Sequence, residues 1–197
     1  MGNLPRKAPD LSRLLFPGSV AIVGASENLE SISGRPVKLL QRFGFKGGIF
    51  PVNPNRRNIA GLDCYPDIDS LPVTPDVVLV GVRAALVPEV IRQCAGRSVP
   101  FSIIFSSGFA ESEDDKAQNE IIKTARRGGT RILGPNCQGL VNFASSVPLS
   151  FSASLDSDSR PLGNVAYISQ SGAFGFASFA MAAENGVGFR YVVTTGN

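Results

Sequence analysis

The amino-acid sequence predicts a doubly wound α/β fold built on a parallel sheet, and its first strand, turn and helix carry most of that prediction. Residues 20–23 form a short apolar run rich in β-branched side chains, and Gly24 ends it. Small and polar residues follow up to residue 34, after which apolar residues recur at helical spacing through residue 43. Further apolar runs alternate with helical patterns down the chain, as such a fold requires.

The remainder of the chain divides into three predicted parts. Residues 1–143 are expected to form one α/β domain, with later strands at 48–52, 77–82, 101–105 and 131–133. Residues 144–163 are rich in serine and are expected to be a linker. Residues 164–197 are expected to begin a second α/β domain, with a strand, a helix and another strand.

The composition fits a folded protein of the reducing cytoplasm. The chain has 197 residues, 43% hydrophobic and 18% charged, which suits one domain and part of another. A net charge of +3 is too small to indicate nucleic acid or a membrane surface, and no apolar run could span a bilayer. The N-terminus shows no secretory signal, and three widely spaced cysteines argue against a disulfide framework. We therefore expect neither nucleic acid nor membrane as a partner.

The chain contains no histidine. A Ser-His-Asp triad, a His-Glu-x-x-His zinc site and a phosphohistidine are therefore excluded within it. Cys137 lies in a loop without a base to activate it, so we expect it to be a small packed residue. No catalytic residue and no metal ligand is predicted.

The turn after the first strand predicts a phosphate ligand. Backbone N–H groups of this turn and of the next helix N-terminus favour an anion, and Gly24, Ala25 and Ser26 are the residues expected to bind it. The second and third glycines of the dinucleotide fingerprint are missing, and Arg56 and Arg57 stand near the place of its acidic residue. Arginine suits a phosphate, so the ligand is expected to be NADP or coenzyme A, unless the two arginines are only a solvated pair.

Six short motifs occur in a fixed order between residues 20 and 173, within a resemblance that runs from about Leu11 to the last residue. They are Val-Ala-Ile-Val-Gly-Ala-Ser at 20–26, Gly-Phe-Lys-Gly at 44–47, Phe-Pro-Val-Asn-Pro at 50–54, Ser-Ser-Gly-Phe-Ala-Glu at 106–111, Leu-Gly-Pro-Asn-Cys at 133–137 and Ile-Ser-Gln-Ser-Gly-Ala at 168–173. Together they resemble the CoA-binding domain of ADP-forming acyl-CoA synthetases, a family similar to the succinyl-CoA synthetase α subunit. The same module begins the Pat-type protein acetyltransferases.

The resemblance implies a Rossmann-like CoA-binding domain followed by the start of a flavodoxin-like domain. It implies that the chain is the CoA-binding portion of an enzyme in which ATP phosphorylates a histidine, the phosphate passes to a carboxylic acid, and the CoA thiol attacks the acyl phosphate. The implied partners are coenzyme A and an ATP-grasp domain or subunit, fused or separate, in a homo- or hetero-oligomer. Since the chain has no histidine, we expect the isolated chain to bind CoA but not to activate a carboxylic acid by itself.

The resemblance also implies site residues. Those expected to contact coenzyme A are Gly24, Ala25, Ser26, Asn53, Pro54, Arg56, Arg57, Val82, Arg83, Ser106, Ser107, Gly108 and Asn136. Those expected to hold the active phosphate at a helix start are Ser171, Gly172 and Ala173.

The sequence departs from the family at two positions near the expected adenine. Arg83 replaces the proline of the usual Val-Pro-Ala, and Asn55 replaces a lysine. Two functions from different classes stay open, namely part of an acyl-CoA ligase and a regulatory CoA-sensing module of a Pat-type acetyltransferase. An NADP dehydrogenase is disfavoured by the missing glycines and by the lack of a histidine for acid–base chemistry.

Overall fold

The computed structural model describes residues 10–112, 115–157 and 162–197; the expectations for residues 1–9, 113–114 and 158–161 lie outside the described residues. The strands are β1 (Ser19–Val23), β2 (Gly48–Val52), β3 (Asn58–Ile59), β4 (Leu62–Asp63), β5 (Val77–Val80), β6 (Phe101–Ile104), β7 (Arg131–Leu133), β8 (Gly139–Asn142), β9 (Val147–Ser150), β10 (Leu162–Ser169) and β11 (Phe189–Thr194). The helices are α1 (Ser12–Leu15), α2 (Arg35–Arg42), α3 (Val87–Gly96), α4 (Asp115–Arg127) and α5 (Gly172–Glu184). Over these ranges no helix exceeds 13 residues, and none is long and apolar enough to cross a bilayer.

The first sheet has five parallel strands in the order β2-β1-β5-β6-β7, which confirms the predicted doubly wound class. Strand β5 is buried at every residue, as expected for a parallel strand covered on both faces. The chain builds β2 on one side of β1 and then returns to build β5 on the other. The strand order therefore reverses between β1 and β5, and the carboxyl ends of these strands flank the position where doubly wound folds bind ligands.

The second sheet has the order β10-β11-β8-β9, with β10 and β11 parallel and β8 and β9 forming an antiparallel hairpin. The prediction of a linker over residues 144–163 is wrong, because β9 lies within it and is buried at all four residues. Its serines act locally: the Ser150 hydroxyl donates to the Gln138 carbonyl at 2.5 Å, and Ser152 caps a short 3-10 turn, Ala153–Leu155. The predicted domain limit at residue 143 falls inside this hairpin.

Helix α2 packs on both sheets, whereas α3 and α4 cover the opposite face of the first sheet. Val37 and Leu40 belong to the buried cluster that contains Val20 and Ile22 of β1. Leu39 and Phe43 belong to a second cluster, with aromatic residues of α5 and β11. The ring centroids of Phe43 and Phe143 lie 6.4 Å apart. The helix that follows the predicted phosphate turn is thus fixed by the second sheet as well as by the first.

Residues 134–139, here called the seam, join the carboxyl ends of the two sheets. The Gly134 N–H donates to the Thr195 carbonyl at 3.0 Å, and the Asn197 N–H donates to the Pro135 carbonyl at 3.0 Å. Gly139 closes the seam at φ +87°, where a Cβ would lie 2.0 Å from the Leu149 carbonyl oxygen. Only glycine permits this approach without a shift of the hairpin.

The three cysteines are free. Cys94 and Cys137 are buried, and burial raises the pKa of each thiol to about 12. Both thiols are therefore protonated at neutral pH and unsuited to nucleophilic chemistry. Cys137 is a packed residue of the seam, as predicted.

We expect Gly139→Ala to destabilise the fold far more than Gly61→Ala, its matched control. Both glycines have positive φ, so each alanine costs about 1–2 kcal/mol of backbone strain, but a Cβ at Gly61 meets nothing within 4 Å. The clash at Gly139 adds an overpacking cost, for a total loss of roughly 3 kcal/mol or more. Urea unfolding measures both, and equal losses would contradict the close approach seen at the seam.

Candidate functional site

The turn after β1 sits at the reversal of strand order. Gly24 has φ +85°, and a Cβ there would lie 2.8 Å from both the Gly81 carbonyl oxygen and Val82 Cγ1. Gly81 in turn donates its N–H to the Val23 carbonyl at 3.0 Å. The backbones that leave β1 and β5 therefore touch, and a side chain at residue 24 would push them apart.

The backbone donors of this turn differ from the prediction. The N–H groups of Gly24 and Ala25 both donate to the Val52 carbonyl, at 2.9 and 3.2 Å, so these two residues shape the turn instead of offering donors to a phosphate. Ser26 N–H has no acceptor in the described ranges, and the Ser26 hydroxyl oxygen accepts from Asn28 N–H at 3.1 Å. Among the three residues predicted for the turn, Ser26 is the one that can donate to an anion.

Asn53 at the end of β2 holds the turn in place. Its Nδ2 donates to the Ala25 carbonyl at 2.8 Å, and its Oδ1 accepts from the Asn55 N–H at 2.9 Å. Both ends of the amide are thus committed to backbone. Asn53 positions the loop that carries Pro54 and the two arginines.

The two arginines of this loop have different surroundings. Arg56 Nε lies 3.1 Å from Glu27 Oε2, in an ion pair that links the β2 loop to the β1 turn. The Arg57 guanidinium is exposed and has no carboxylate partner within residues 10–112, 115–157 and 162–197. Arg57 is therefore the arginine free to bind a phosphate, whereas Arg56 must first leave Glu27.

The remaining predicted residues continue along the carboxyl edge of the first sheet. Ser106 Oγ donates to the Val82 carbonyl at 2.5 Å, and the Ser106 carbonyl accepts from the Asn136 N–H at 3.0 Å. Arg83 and Ser107 are exposed beside them. The loops after β5, β6 and β7 are thus tied into one row of small and polar residues.

Glu111 fixes the loop after β6, and sequence reasoning missed it. Its Oε1 accepts from the N–H of Gly108 and, at 3.2 Å, of Phe109, while its Oε2 accepts from Asn197 Nδ2. Burial acts to raise the pKa of Glu111, but hydrogen bonds from Asn197 and the backbone outweigh it and lower that pKa below its ordinary value of 4.5. The carboxylate therefore joins the loop after β6 to the end of the second sheet.

The start of α5 forms the second predicted site. Ser171 caps this helix by accepting from the Phe174 N–H at 3.3 Å. The N–H groups of Gly172 and Ala173 have no acceptor in the part of the chain that the structure describes. A Cβ on Gly172 would lie 2.8 Å from Gln138 Cγ, so the Gln138 side chain packs directly against the helix start.

A crevice of about 390 Å³ lies beside this helix start; it is called the α5 crevice. It is lined by Glu30, Ile32 and Arg35 after the β1 turn, by Gln138, by residues 151–154 and by the first turns of α5. The chain segment that follows the β1 turn and the α5 helix start thus face one cavity. Of the residues predicted at the two phosphate sites, Ala173 lines it, whereas Gly24, Ala25, Ser26, Ser171 and Gly172 do not.

A cluster of charges behind the α5 crevice ties it to α2. The Arg35 guanidinium donates to Asp156 on one side and to Glu30 on the other. Lys38 Nζ lies 2.5 Å from Glu30 and 3.3 Å from Asp156, and Arg42 lies 3.6 Å from Asp156. The spacing of Arg35, Lys38 and Arg42 along one helix face was the sequence signal for this cluster. What the sequence could not give was Asp156 as its partner.

A family model described as the CoA binding domain matches residues 18–142. The chain belongs to the CoA-binding-domain family. A second model, the succinyl-CoA ligase like flavodoxin domain, matches residues 162–197 behind the CoA-binding domain. These matches confirm the resemblance carried by the six motifs.

ADP-forming CoA ligases are among the curated relatives of the chain. The chain is 36% identical over 196 residues to the ADP-forming acetate–CoA ligase II of Archaeoglobus fulgidus, covering 96% of the chain and 28% of the relative. It is 35% identical over 193 residues to the α subunit of the ADP-forming acetate–CoA ligase I of Pyrococcus furiosus, covering 95% of the chain and 41% of that subunit. The chain therefore spans between about a quarter and two fifths of the length of these relatives.

A solved structure shows the same architecture. The apo form of the dinucleotide-forming acetyl-coenzyme A synthetase 1 of Ca. Korarchaeum cryptofilum superposes with a TM-score of 0.90 at 34% identity, over 95% of this chain and 40% of that one. The arrangement of the CoA-binding domain against the start of the flavodoxin domain is thus shared with a ligase.

We expect Glu111→Gln to make the free energy of unfolding depend less on pH in the acid range. The pKa of Glu111 is lowered in the fold, so its contribution is present above 4.5, its ordinary value, and is lost as pH falls through the folded pKa. The variant should therefore be less stable than the native chain near neutral pH, with the difference closing as pH falls below 4.5. Thermal unfolding from pH 3 to 7 measures this. Glu120→Gln on exposed α4 is the control, and a parallel loss at every pH would contradict the assignment.

Proposed function

We propose that the chain is the CoA-binding portion of an ADP-forming acyl-CoA synthetase. The match of the CoA binding domain over residues 18–142 carries this proposal, together with the ADP-forming ligases among the relatives. The geometry supports it, since the β1 turn, the β2 loop and the loops after β5 and β6 line the carboxyl edge where a doubly wound fold binds a nucleotide.

In this proposal the CoA lies along that edge from the β2 loop towards the seam. Arg57 binds the 3′-phosphate of the ribose, because its guanidinium is exposed and free of carboxylates among the described residues. Ser26 donates to the pyrophosphate. Val82, Ser106 and Gly108 border the pantetheine arm, whose amides suit a row of small and polar residues.

The α5 helix start has a separate role in this proposal. The N–H groups of Gly172 and Ala173 hold the phosphate that passes to the acid, beside the positive end of the helix dipole. A carboxylate oxygen attacks the phosphorus of the phosphohistidine, the P–N bond breaks and the histidine leaves, which gives an acyl phosphate. The CoA thiolate then attacks the acyl carbon, the bond from that carbon to the phosphate oxygen breaks, and inorganic phosphate leaves. The histidine and the ATP site are supplied by an ATP-grasp partner and a histidine-bearing segment, since this chain has no histidine.

The ligase is favoured over the regulatory module of an acetyltransferase. The relatives named above are ligases, and the flavodoxin model that follows the CoA-binding domain is itself named for a CoA ligase. The free helix start of α5 faces a cavity, which suits a reaction site more than a sensor.

We expect dephospho-CoA to bind less tightly than CoA by roughly 3- to 10-fold, since it lacks the phosphate that Arg57 binds. Arg57→Ala should remove this preference, whereas Glu27→Gln should strengthen CoA binding by freeing Arg56 and removing a like charge. Titration calorimetry measures all three, with Arg92→Ala on exposed α3 as the control. Equal binding of the two nucleotides by the native chain would show that Arg57 is only a surface charge.

The proposed reaction is tested by measuring turnover with the chain alone and after a partner protein has been added. We expect no ADP and no acyl-CoA above a no-protein control when the chain alone is mixed with ATP, magnesium, CoA and a panel of carboxylic acids. Adding a ligase from which the segment matching this chain has been deleted should restore turnover. Turnover by the chain alone would contradict the proposal, as would CoA binding without any restored activity.

A further inference from the structure

The β1 turn offers few free backbone donors to a phosphate. The N–H groups of Gly24 and Ala25 both donate to the Val52 carbonyl. Ser26 is the residue of the turn whose N–H has no acceptor in the described ranges. The proposed function places the pyrophosphate of CoA at this turn, and each of its phosphoryl groups carries a negative charge. Ser26 alone leaves most of that charge without a partner.

The start of α2 offers no further donors. The N–H groups of Gly34 and Arg35 both donate to the Ser31 carbonyl, at 3.2 and 2.9 Å. Pro36 has no N–H, and the Val37 N–H donates to the Gly34 carbonyl at 3.0 Å. In many doubly wound folds the N–H groups of this helix start complete the phosphate site. Here they bind within the chain, so the pyrophosphate needs a charged side chain instead.

The charged side chains that follow the turn are already paired. Glu27 forms an ion pair with Arg56. Glu30 forms ion pairs with Arg35 and Lys38. A phosphate would have to displace a carboxylate before it could bind any of these three cations.

Arg83 is an unpaired cation close to the turn, at the carboxyl end of β5. Val82, the residue before it, has a Cγ1 that would lie 2.8 Å from a Cβ on Gly24, so the chain leaving β5 contacts the turn. The Arg83 guanidinium is exposed and makes no hydrogen bond or ion pair with any of the described residues. Its backbone is held on both sides, because the Leu86 N–H donates to the Arg83 carbonyl at 2.9 Å and Ser106 Oγ donates to the Val82 carbonyl at 2.5 Å.

From these contacts we infer that Arg83 binds the pyrophosphate of CoA and supplies the positive charge that the β1 turn and the start of α2 lack. The inference rests on the proposed function and adds a binding residue to it. The planar guanidinium can donate two parallel hydrogen bonds, which suits oxygens of neighbouring phosphoryl groups. Arg57 on the β2 loop binds the 3′-phosphate, so the two unpaired arginines divide the phosphates of the nucleotide between them.

Titration calorimetry with CoA and dephospho-CoA tests this assignment. We expect Arg83→Gln to weaken both ligands by roughly 3- to 10-fold, because both carry the pyrophosphate, whereas Arg57→Ala should weaken CoA alone. Arg127→Gln is the matched control, since Arg127 is an exposed arginine in the last turn of α4, and it should change neither affinity.

Two further measurements distinguish a charge contact from stacking of the guanidinium on the adenine. Arg83→Lys keeps the charge and should lose less affinity than Arg83→Gln. The difference between the native chain and Arg83→Gln should also shrink as salt is added, because salt screens an exposed charge contact. Equal losses in the two variants, or a difference that salt does not change, would overturn the inference in favour of stacking.

The outcomes also separate this inference from the proposed function. Native-like CoA binding by Arg83→Gln would show that Arg83 does not bind the pyrophosphate, and the ligase proposal would stand. Circular dichroism checks that each variant is folded. Absence of CoA binding by the folded native chain would instead overturn the proposed function and the inference with it.

Discussion

The joining of the two sheets at their carboxyl ends is the constraint on which the rest of the site depends. Backbone hydrogen bonds from the seam to the end of β11 hold the first sheet against the second. Because carboxyl ends of parallel strands carry the binding loops, this junction brings two sets of loops to one side of the molecule. Neither sheet alone would form the α5 crevice, which takes walls from both.

Helix α2 transmits that constraint to the phosphate turn. Its apolar side chains are shared between the cores of the two sheets, and Arg35 and Lys38 bind both Glu30 and Asp156. The segment after the β1 turn is thereby held from the second sheet. A ligand that orders either wall of the crevice would also order the other, which is the physical requirement for coupling two binding steps.

The sequence predicted what local patterns determine. The parallel strands, the tight turn at Gly24 and the small residues along the carboxyl edge follow from hydrophobic runs and glycine placement. The β8–β9 hairpin was not predicted, because β9 contains a proline and lies in a serine-rich stretch. Its burial depends on partners elsewhere in the chain. The donors of the turn were misjudged for the same reason: only the fold shows that Val52 already accepts from Gly24 and Ala25. Glu111, Asp156 and Gln138 act through residues far away in sequence, which no spacing rule connects.

The two buried thiols can report when two different parts of the molecule open. A thiol with a pKa of about 12 reacts with an alkylating reagent only after its surroundings open and let it ionise. Cys94 is a residue of α3 and is buried with α4 against the first sheet, whereas Cys137 lies in the seam. The rate at which Cys94 is alkylated therefore reports how often α3 and α4 separate from the first sheet. The rate at which Cys137 is alkylated reports how often the two sheets separate at the seam. Mass spectrometry of one partly alkylated sample would order these two events.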